Sequence, residues 1–364
     1  MKKFSEQLLF TPGPANLSAT VHRAMTTDYG SRTHLFAEMT NQVNCYLSKI
    51  APDTDLIPVM LQGSGTYAVE AMIQSLVPND ESLLIIINGA YGYRMVSIAK
   101  KSGKKFEAIE FPYDKKISSS DIESHINNFD GKYVAVVHGE TTTGVMNDIL
   151  SIERATARAG KLLLIDAMST FGSYIWELPT DNSIVAIAAS SNKALGAPPG
   201  IGIVYVHKNH IKKSYSSSLT LDLIDQYANF YQTSEWRFTP PTHVMSGLLE
   251  ALKELENKGG IAAQMQNHIT NRNTIVDVYT HLGFTPLLAK EDMGHAVVTF
   301  FREDWDSDKI NQYTEYLNGN GCVIYGGKIT NKFTFRVGCI GTIDNSAIKK
   351  LEKLSYQYLL REEQ

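Results

Sequence analysis

The sequence predicts an α/β fold, with a mostly parallel, doubly wound sheet and a smaller α+β domain towards the C-terminus. In roughly the first three quarters of the chain, short apolar runs alternate with stretches whose apolar residues recur at helical spacing. The apolar runs are continuous, which is typical of strands covered by helices on both faces. The last third loses this alternation, which favours a separate smaller domain.

Apolar runs of strand length predict the sheet, at residues 57–61, 82–87, 133–138, 161–165, 184–188 and 201–206. The stretch 67–77 is predicted to be a helix, because Val69, Met72, Ile73 and Leu76 recur at helical spacing. Strands that alternate with helices along the chain are the pattern of parallel strands joined by crossover helices.

The C-terminal part is predicted to contain a helix over 244–255, closed by Gly259 and Gly260, and a final amphipathic helix over about 345–360. Strands are predicted at 296–301, 322–325 and 333–337. Strands and helices of this kind suit a small α+β domain that begins near residue 246.

Composition and charge narrow the function classes. The 364 residues are 43% hydrophobic and 20% charged, which is typical of a globular chain and excludes a disordered one. With 34 basic and 38 acidic residues the net charge is −4, and no basic stripe indicates binding to nucleic acid or an anionic membrane. The apolar runs are far shorter than the ~20 residues that span a bilayer.

Cysteine usage and the first residues favour the cytoplasm. Three widely spaced cysteines, Cys45, Cys322 and Cys339, argue against a disulfide framework or a zinc site. The opening MKKFSEQLLFTPGP has two lysines but no apolar stretch of about seven residues, so we expect no signal peptide. We therefore expect a cytoplasmic enzyme or binding protein without a metal site.

A glycine-rich turn, QGSGTY at 62–67, follows the first predicted strand and opens the helix after it. Glycines let the backbone approach a ligand, and the free N–H groups of a helix start attract an anion such as phosphate. The hydroxyl groups of Ser64 and Thr66 add donors. The turn lacks the motifs of a nucleotide P-loop and of a dinucleotide site. A purely structural turn is the alternative.

Two further residues stand at the ends of predicted strands. Asp166 follows the run at 161–165, where open α/β sheets bind ligands, and a helix N-cap is the alternative.

Lys193 follows the run at 184–188 in a turn of small residues. Desolvation or nearby charge in such a turn can lower the pKa of a lysine from its usual value of about 10.4. An exposed lysine at a strand end is the alternative.

Taken in order, the phosphate-type turn, the acidic strand end and the lysine are the contacts that pyridoxal phosphate requires. The turn would hold the phosphate, Asp166 would pair with the pyridinium nitrogen, and Lys193 would form the Schiff base. Because the carboxylate keeps the ring nitrogen protonated, the ring can take up electrons from a substrate carbanion.

The chain resembles the class V aminotransferases of fold-type I, and within them the phosphonate transaminases. The matching stretches run almost end to end in the family's order: LLFTPGP at 8–14, LQGSGTYAVEAM at 61–72, NGAYGYRM at 88–95, VHGETTTGVMN at 137–147, LLIDAMSTFG at 163–172, SSNKALGAPPG at 190–200, SLTLDL at 218–223, EWRFTPPTH at 235–243 and FRVGCIG at 335–341. The resemblance implies a large cofactor-binding domain over 21–245, a small domain over 246–364, and an N-terminal segment, 1–20, that packs on the small domain.

The resemblance also assigns roles around the cofactor ring and phosphate. Tyr91 stands at the position of the aromatic residue that stacks on the ring, and Met168 would pack near the other face. Ser64, Gly65 and Thr66 would cradle the phosphate.

Further contacts follow from the same resemblance. Thr142 or Thr143 would lie near the ring hydroxyl, and Asn192 would add a polar contact beside the lysine. Trp236 and Thr239 match positions that reach the phosphate from the neighbouring subunit. The resemblance therefore implies an obligate homodimer with composite active sites.

Two arginines are the substrate candidates. In the strand at 333–337, a period of two places Phe333 and Phe335 on one face and Thr334 with Arg336 on the other. A guanidinium there can bind a carboxylate or a phosphonate through two parallel hydrogen bonds, whereas a solvent-facing arginine is the alternative. Arg32 stands in DYGSRTH at 28–34, which departs from the phosphonate transaminases. It would supply a second cation or pair with a surface carboxylate.

The resemblance implies transfer of an amino group from 2-aminoethylphosphonate to pyruvate, which gives phosphonoacetaldehyde and alanine. A transaminase of the alanine–glyoxylate or serine–pyruvate type is the nearest alternative, because it uses the same machinery. A cysteine desulfurase is disfavoured, because Cys322 and Cys339 flank predicted strands rather than lie in a loop. A non-catalytic protein that binds pyridoxal phosphate or a sugar phosphate is the alternative from another class.

Overall fold

The computed structural model describes residues 7–179, 182–329 and 331–362. Residues 1–6 of the predicted N-terminal segment and residues 363–364 of the predicted small domain lie outside the described residues. The strands are β1 (Leu8–Leu9), β2 (Leu56–Gln62), β3 (Ser82–Ile87), β4 (Lys105–Glu110), β5 (Tyr133–Val137), β6 (Gly139–Glu140), β7 (Val145–Met146), β8 (Leu162–Asp166), β9 (Ile184–Ser190), β10 (Ile201–His207), β11 (Thr285–Pro286), β12 (Val297–Phe301), β13 (Cys322–Val323), β14 (Tyr325–Ile329) and β15 (Lys332–Gly338).

The α-helices are α1 (Ala19–Ala24), α2 (His34–Lys49), α3 (Gly65–Leu76), α4 (Ala90–Lys101), α5 (Ser119–Asn128), α6 (Ile149–Arg158), α7 (Leu223–Thr233), α8 (Thr242–Asn257), α9 (Gly260–His281), α10 (Ser307–Gly319) and α11 (Asn345–Glu362). Of the helices in the described ranges, none has an apolar stretch long enough to cross a lipid bilayer.

The large sheet has seven strands in the order β2-β10-β9-β8-β5-β3-β4. β10 runs antiparallel to both β2 and β9, and all other neighbours are parallel. The predicted mostly parallel sheet is thus confirmed, and the six predicted strands are all present. β4 was missed because it lies at the sheet edge, where its lysine and glutamates are exposed and leave no continuous apolar run.

Helices cover both faces of this sheet, as its continuous apolar runs require. On one face, α2 and α8 contribute buried residues such as Phe36 and Leu248. On the other face, α3 and α4 contribute residues such as Met72 and Met95. The predicted helix over 67–77 is α3, which begins earlier, at Gly65. The glycine-rich turn therefore leads directly into a helix that is fixed against the sheet.

The C-terminal sheet is antiparallel, in the order β11-β12-β15-β14. Its core is aromatic, with the ring centroids of Tyr279 and Phe300 4.7 Å apart and those of Phe300 and Phe335 5.7 Å apart. β1 pairs in parallel with β13, and Phe10 lies in the same core. The predicted strand at 322–325 is two strands, because β13 pairs with β1 whereas β14 pairs with β15.

Helix α8 spans the predicted domain boundary at residue 246. Its buried residues, such as Met245 and Leu255, belong to the core beneath the large sheet. Gly259, whose φ of +98° suits glycine, separates α8 from α9. The division into domains stays a prediction, and the packing of α8 favours a boundary after residue 257.

Candidate active site

A cleft opens at the carboxyl ends of the parallel strands, where open α/β sheets bind ligands. Asp166 ends β8 and Lys193 lies in the turn after β9, the adjacent strand, so both side chains meet in one cleft. The cleft holds about 720 Å³, counted with the space open to solvent. It is lined by Ser64, Gly65, Thr66, Val69, Tyr91, Arg94, Val137, Gly139, Thr141, Asp166, Met168, Ser169, Ser190, Asn192 and Lys193.

Asp166 is a buried carboxylate at the base of the cleft. One of its oxygens accepts a hydrogen bond from the backbone N–H of Met168 at 3.0 Å. The pKa of Asp166 is raised to about 6, mainly by burial and to a smaller extent by the Glu140 carboxylate, although the Met168 N–H, Arg94 and Lys193 act in the opposite direction. A carboxylate held in this environment is ready to pair with a cationic group of a ligand.

Lys193 is held as a hydrogen-bond donor. Its Nζ donates to the backbone oxygens of Pro12 at 2.8 Å and Gly13 at 3.2 Å. Burial lowers the pKa of Lys193 to about 8, and the positive charges of Arg94 and Arg336 lower it as well, although Asp166 opposes them. The sequence interpretation of a desolvated lysine fits this geometry, and the alternative of an exposed strand-end lysine does not.

One end of the cleft is the start of α3. Ser64 is the N-cap of this helix, and its hydroxyl forms no capping hydrogen bond. The first N–H groups of a helix have no partner within it, so they remain available to an anion. Gly65 is required by close packing, since a Cβ there would lie 2.3 Å from Sδ of Met168. This contact ties the predicted phosphate turn to the residue predicted to pack near the ring.

Arg94 is a residue of this cleft that the sequence analysis missed. It lies one helical turn after Tyr91 in α4, and its guanidinium carbon lies 4.6 Å from the centroid of the Tyr91 ring. Its Nη1 donates to Oγ1 of Thr66 at 3.2 Å. The i, i+3 spacing from the predicted aromatic residue was the signal that could have found it.

The structure places neither Thr142 nor Thr143, the two threonines predicted to lie near the ring hydroxyl, in the lining of the cleft. The residue that lines the cleft is Thr141, whereas the hydroxyl of Thr142 donates to Oε1 of Glu140 at 2.5 Å. Thr143 is fully buried, and its Oγ1 accepts from the N–H of Val145. Three consecutive threonines point in different directions in this hairpin between β6 and β7, so the sequence alone could not select among them.

Arg336 of the C-terminal sheet lies beside the cleft, next to Thr141. Its Nη1 donates to the backbone oxygen of Thr141 at 3.2 Å. Phe335, its neighbour in β15, is fully buried in the aromatic core, so the alternation of the strand sends the two side chains to different sides. Neither Arg336 nor Arg94 forms an ion pair with a carboxylate in the part of the chain that the structure describes.

Three of the predicted site residues lie away from the cleft within this subunit. Arg32 and Thr239 are exposed, and Arg32 has no ion-pair partner among the described residues. Trp236 lines a neighbouring groove that also includes Ser64.

Cys322 and Cys339 are buried in the C-terminal core, and burial raises the pKa of Cys339 to about 12. These two thiols are therefore not placed as nucleophiles for the cleft.

Sequence comparison identifies the family. A sequence profile of class-V aminotransferases matches residues 14–340. The chain belongs to the class-V aminotransferases. It is 37% identical over 352 residues to a 2-aminoethylphosphonate–pyruvate transaminase of Pseudomonas fluorescens, which covers 95% of this chain and 94% of that protein. A protein of the same name from Pseudomonas aeruginosa is 37% identical over 350 residues, with 94% and 93% covered.

Solved structures confirm the predicted fold-type I architecture. An alanine–glyoxylate aminotransferase from Nostoc sp. superposes with a TM-score of 0.91 at 22% identity, over 98% of this chain and 96% of that chain. A phosphoserine aminotransferase from Trichomonas vaginalis with pyridoxal phosphate bound has a TM-score of 0.79 at 16% identity, over 96% and 100%. Membership of the class-V family makes the present protein an aminotransferase that depends on pyridoxal phosphate.

The residues of the cleft fit this cofactor. A phosphate group requires cationic and N–H donors, which Arg94 and the start of α3 supply. A pyridinium nitrogen requires a carboxylate, and an aldehyde requires an amine, which Asp166 and Lys193 supply from the base of the same cleft. The uncapped hydroxyl of Ser64 adds a donor at the phosphate end.

Proposed function

We propose that this aminotransferase moves the amino group of 2-aminoethylphosphonate to pyruvate and releases phosphonoacetaldehyde and alanine. The proposal rests on the 37% identity to enzymes of that name over 92–95% of the chain. The electrostatics beside the cleft support it, because both substrates are anions and the guanidinium of Arg336 carries no ion pair within the described part of the chain.

Toward the cofactor, Ser64, Gly65 and Thr66 would bind the phosphate, and Arg94 would add positive charge. Tyr91 would stack on one face of the ring and Met168 would pack near the other.

Two further contacts would fix the polar edges of the ring. Asp166 would accept a hydrogen bond from the ring nitrogen, and its pKa near 6 leaves the carboxylate ionised at neutral pH. We assign the contact with the ring hydroxyl to Thr141 and a further polar contact to Asn192. When bound, the cofactor supplies a ring that takes up the electron pair left on a substrate carbon when its proton departs.

Lys193 would hold the cofactor covalently through Nζ and then act as the general base. With an amino donor in the cleft, the free amine of Lys193 would take the proton from the substrate carbon and deliver it to the cofactor carbon that carried the aldehyde. Burial lowers the pKa of Lys193 to about 8, which brings the free amine within reach near neutral pH. An ordinary lysine would remain almost fully protonated there.

Arg336 would bind the carboxylate of pyruvate or the phosphonate of the donor. Its planar group matches either anion with two parallel hydrogen bonds, and its bond to the Thr141 oxygen holds it beside the cleft. Arg32 is kept as a second candidate cation, which would have to act from an exposed position.

We also propose a homodimer in which Trp236 and Thr239 reach the cofactor phosphate of the neighbouring subunit. Trp236 lines a groove that also includes Ser64 of the predicted phosphate turn, which supports a place for this segment beside a cofactor site. The groove beside it exposes Tyr67 and Phe238, both with more than a third of their surface free. Sedimentation equilibrium would test this, since a stable monomer at micromolar concentration would contradict it.

A location in the cytoplasm is proposed on the state of the cysteines. All three are free thiols, as is usual in a reducing compartment.

The test of the proposed function is a donor and acceptor panel with purified holoenzyme. Formation of alanine from 2-aminoethylphosphonate and pyruvate should exceed that from serine and pyruvate by about 100-fold in kcat/KM. Lys193→Ala should abolish turnover and serves as the blank. Faster turnover with alanine and glyoxylate would favour the alternative transaminase, and cofactor binding without any turnover would favour a non-catalytic binding protein.

A further inference from the structure

A second buried carboxylate lies beside the cleft, and the reaction described above does not use it. Glu140 in β6 is 0% exposed. Its Oε2 accepts from the N–H of Tyr91 at 3.0 Å, and its Oε1 accepts from the N–H of Thr142 at 3.0 Å and from the hydroxyl at 2.5 Å. Burial of a charged group is costly, so hydrogen bonds of this number indicate a site that is built around the carboxylate.

The carboxylate closes the N-terminus of α4. The N-cap of this helix is Gly89, which has no side chain to accept from the first N–H groups. Glu140 supplies that acceptor from another strand, and an anion at a helix N-terminus is favourable. A Cβ on Gly89 would lie 2.2 Å from Cγ of Glu140, so the glycine makes room for this side chain.

The first turn of α4 carries two residues of the cleft. Tyr91 is bound directly by Glu140, and Arg94 lies over the Tyr91 ring and donates to Thr66 at the phosphate end. The start of α4 is therefore joined to Glu140 at one side and to the phosphate turn at the other.

We propose that Glu140 is a positioning residue that holds the first turn of α4, and so places Tyr91 and Arg94 against the cofactor. This inference rests on the proposed cofactor site. It differs from a general role in stability, because its effect is on two named side chains at the cleft.

An electrostatic consequence accompanies the positioning. The negative charge of Glu140 raises the pKa of Asp166, in addition to the larger effect of burial. Loss of the Glu140 charge therefore lowers the pKa of Asp166. The pH below which the protein loses its affinity for the cofactor should then move to a lower value.

The experiment compares Glu140→Gln with Glu153→Gln. Glu153 is a matched control: it is 1% exposed, but its Oε1 accepts from the N–H and hydroxyl of Ser183 and not from the start of α4. Cofactor-free protein is titrated with pyridoxal phosphate over a range of pH, and binding is followed by quenching of tryptophan fluorescence. We expect affinity to fall roughly tenfold for Glu140→Gln and less than about twofold for Glu153→Gln.

A second pair of variants covers the case in which Glu140→Gln does not fold. Gly89→Ala displaces the carboxylate without removing it, whereas Gly319→Ala adds a methyl group at a position with nothing within 4 Å. Only Gly89→Ala should weaken cofactor binding.

The outcomes separate the two claims. Failure of the wild-type protein to bind the cofactor would overturn the proposed function itself. The role of Glu140 alone would be overturned if wild type, Glu140→Gln and Gly89→Ala all bound the cofactor normally. It would also be overturned if Glu140→Gln and Glu153→Gln lost the same affinity and the acidic side of the pH profile of cofactor binding did not move.

Discussion

Replacement of Asp166 by asparagine should stabilise the cofactor-free protein while it removes the activity. The new Oδ1 can still accept the N–H of Met168, which Asp166 binds at 3.0 Å, but the side chain no longer carries a charge that burial disfavours. The ionised carboxylate therefore lowers the free energy of unfolding of the cofactor-free protein, although the cofactor needs it.

The magnitude follows from the pKa of this group, which burial raises from 3.8 to about 6. A carboxyl whose pKa is raised on folding binds its proton more tightly in the folded state. Its contribution to stability is therefore greatest below about pH 3.8 and is lost as the pH rises through 6. At about 1.36 kcal/mol for each pKa unit, the ionised group costs about 1 kcal/mol at pH 4.5 and about 3 kcal/mol at pH 8.

Urea unfolding of cofactor-free wild type and Asp166→Asn at these two pH values measures the effect. The variant should be more stable by about 1 kcal/mol at the lower pH and about 3 kcal/mol at the higher, and its holoenzyme turnover should fall by more than about 100-fold. A variant that is less stable than wild type, or whose gain does not depend on pH, would refute the reasoning about burial.

Three further predictions concern the walls of the cleft. Arg336→Gln should raise the KM for pyruvate by about 10- to 100-fold in steady-state assays, and an unchanged KM would remove the residue from substrate binding. Gly65→Ala should weaken cofactor binding by about tenfold through contact with Met168, and the double variant with Met168→Ala should recover most of the loss in a fluorescence titration. Thr141→Val should reduce cofactor affinity by about fivefold, whereas Thr143→Val should lower only the melting temperature; the reverse result would restore the original threonine assignment.

Much of the fold could be predicted because the strands of the large sheet are buried on both faces. A short continuous apolar run such as Leu83–Ile87 predicts a strand covered on both faces when turn residues lie on either side of it. The edge strand β4 was not predicted because its residues are exposed or half-buried. The apolar pattern that indicates a strand depends on burial. The short strand β13 was merged with β14 because its partner, β1, lies more than 300 residues away in sequence.

The site was predictable where one residue type is needed at a strand end, as with Asp166 and Lys193. It was not predictable where side-chain direction decides, since the three consecutive threonines at 141–143 differ only in orientation. Arg94 and Glu140 were missed for another reason. The contact of Arg94 with Tyr91 is local, at i, i+3 spacing, but its contact with Thr66 and the contact of Glu140 with Tyr91 join residues that only the folded chain brings together.

The backbone oxygens that hold Lys193 have a mechanical consequence. Pro12 and Gly13 follow directly after β1, which is hydrogen-bonded into the C-terminal region through β13, and Phe10 is anchored in that core. The amine of Lys193 is thus hydrogen-bonded to a segment that is anchored in the same C-terminal core as Arg336 of β15. Lys193 therefore depends for its position on the C-terminal core as well as on the large sheet, although it belongs to the large sheet by sequence.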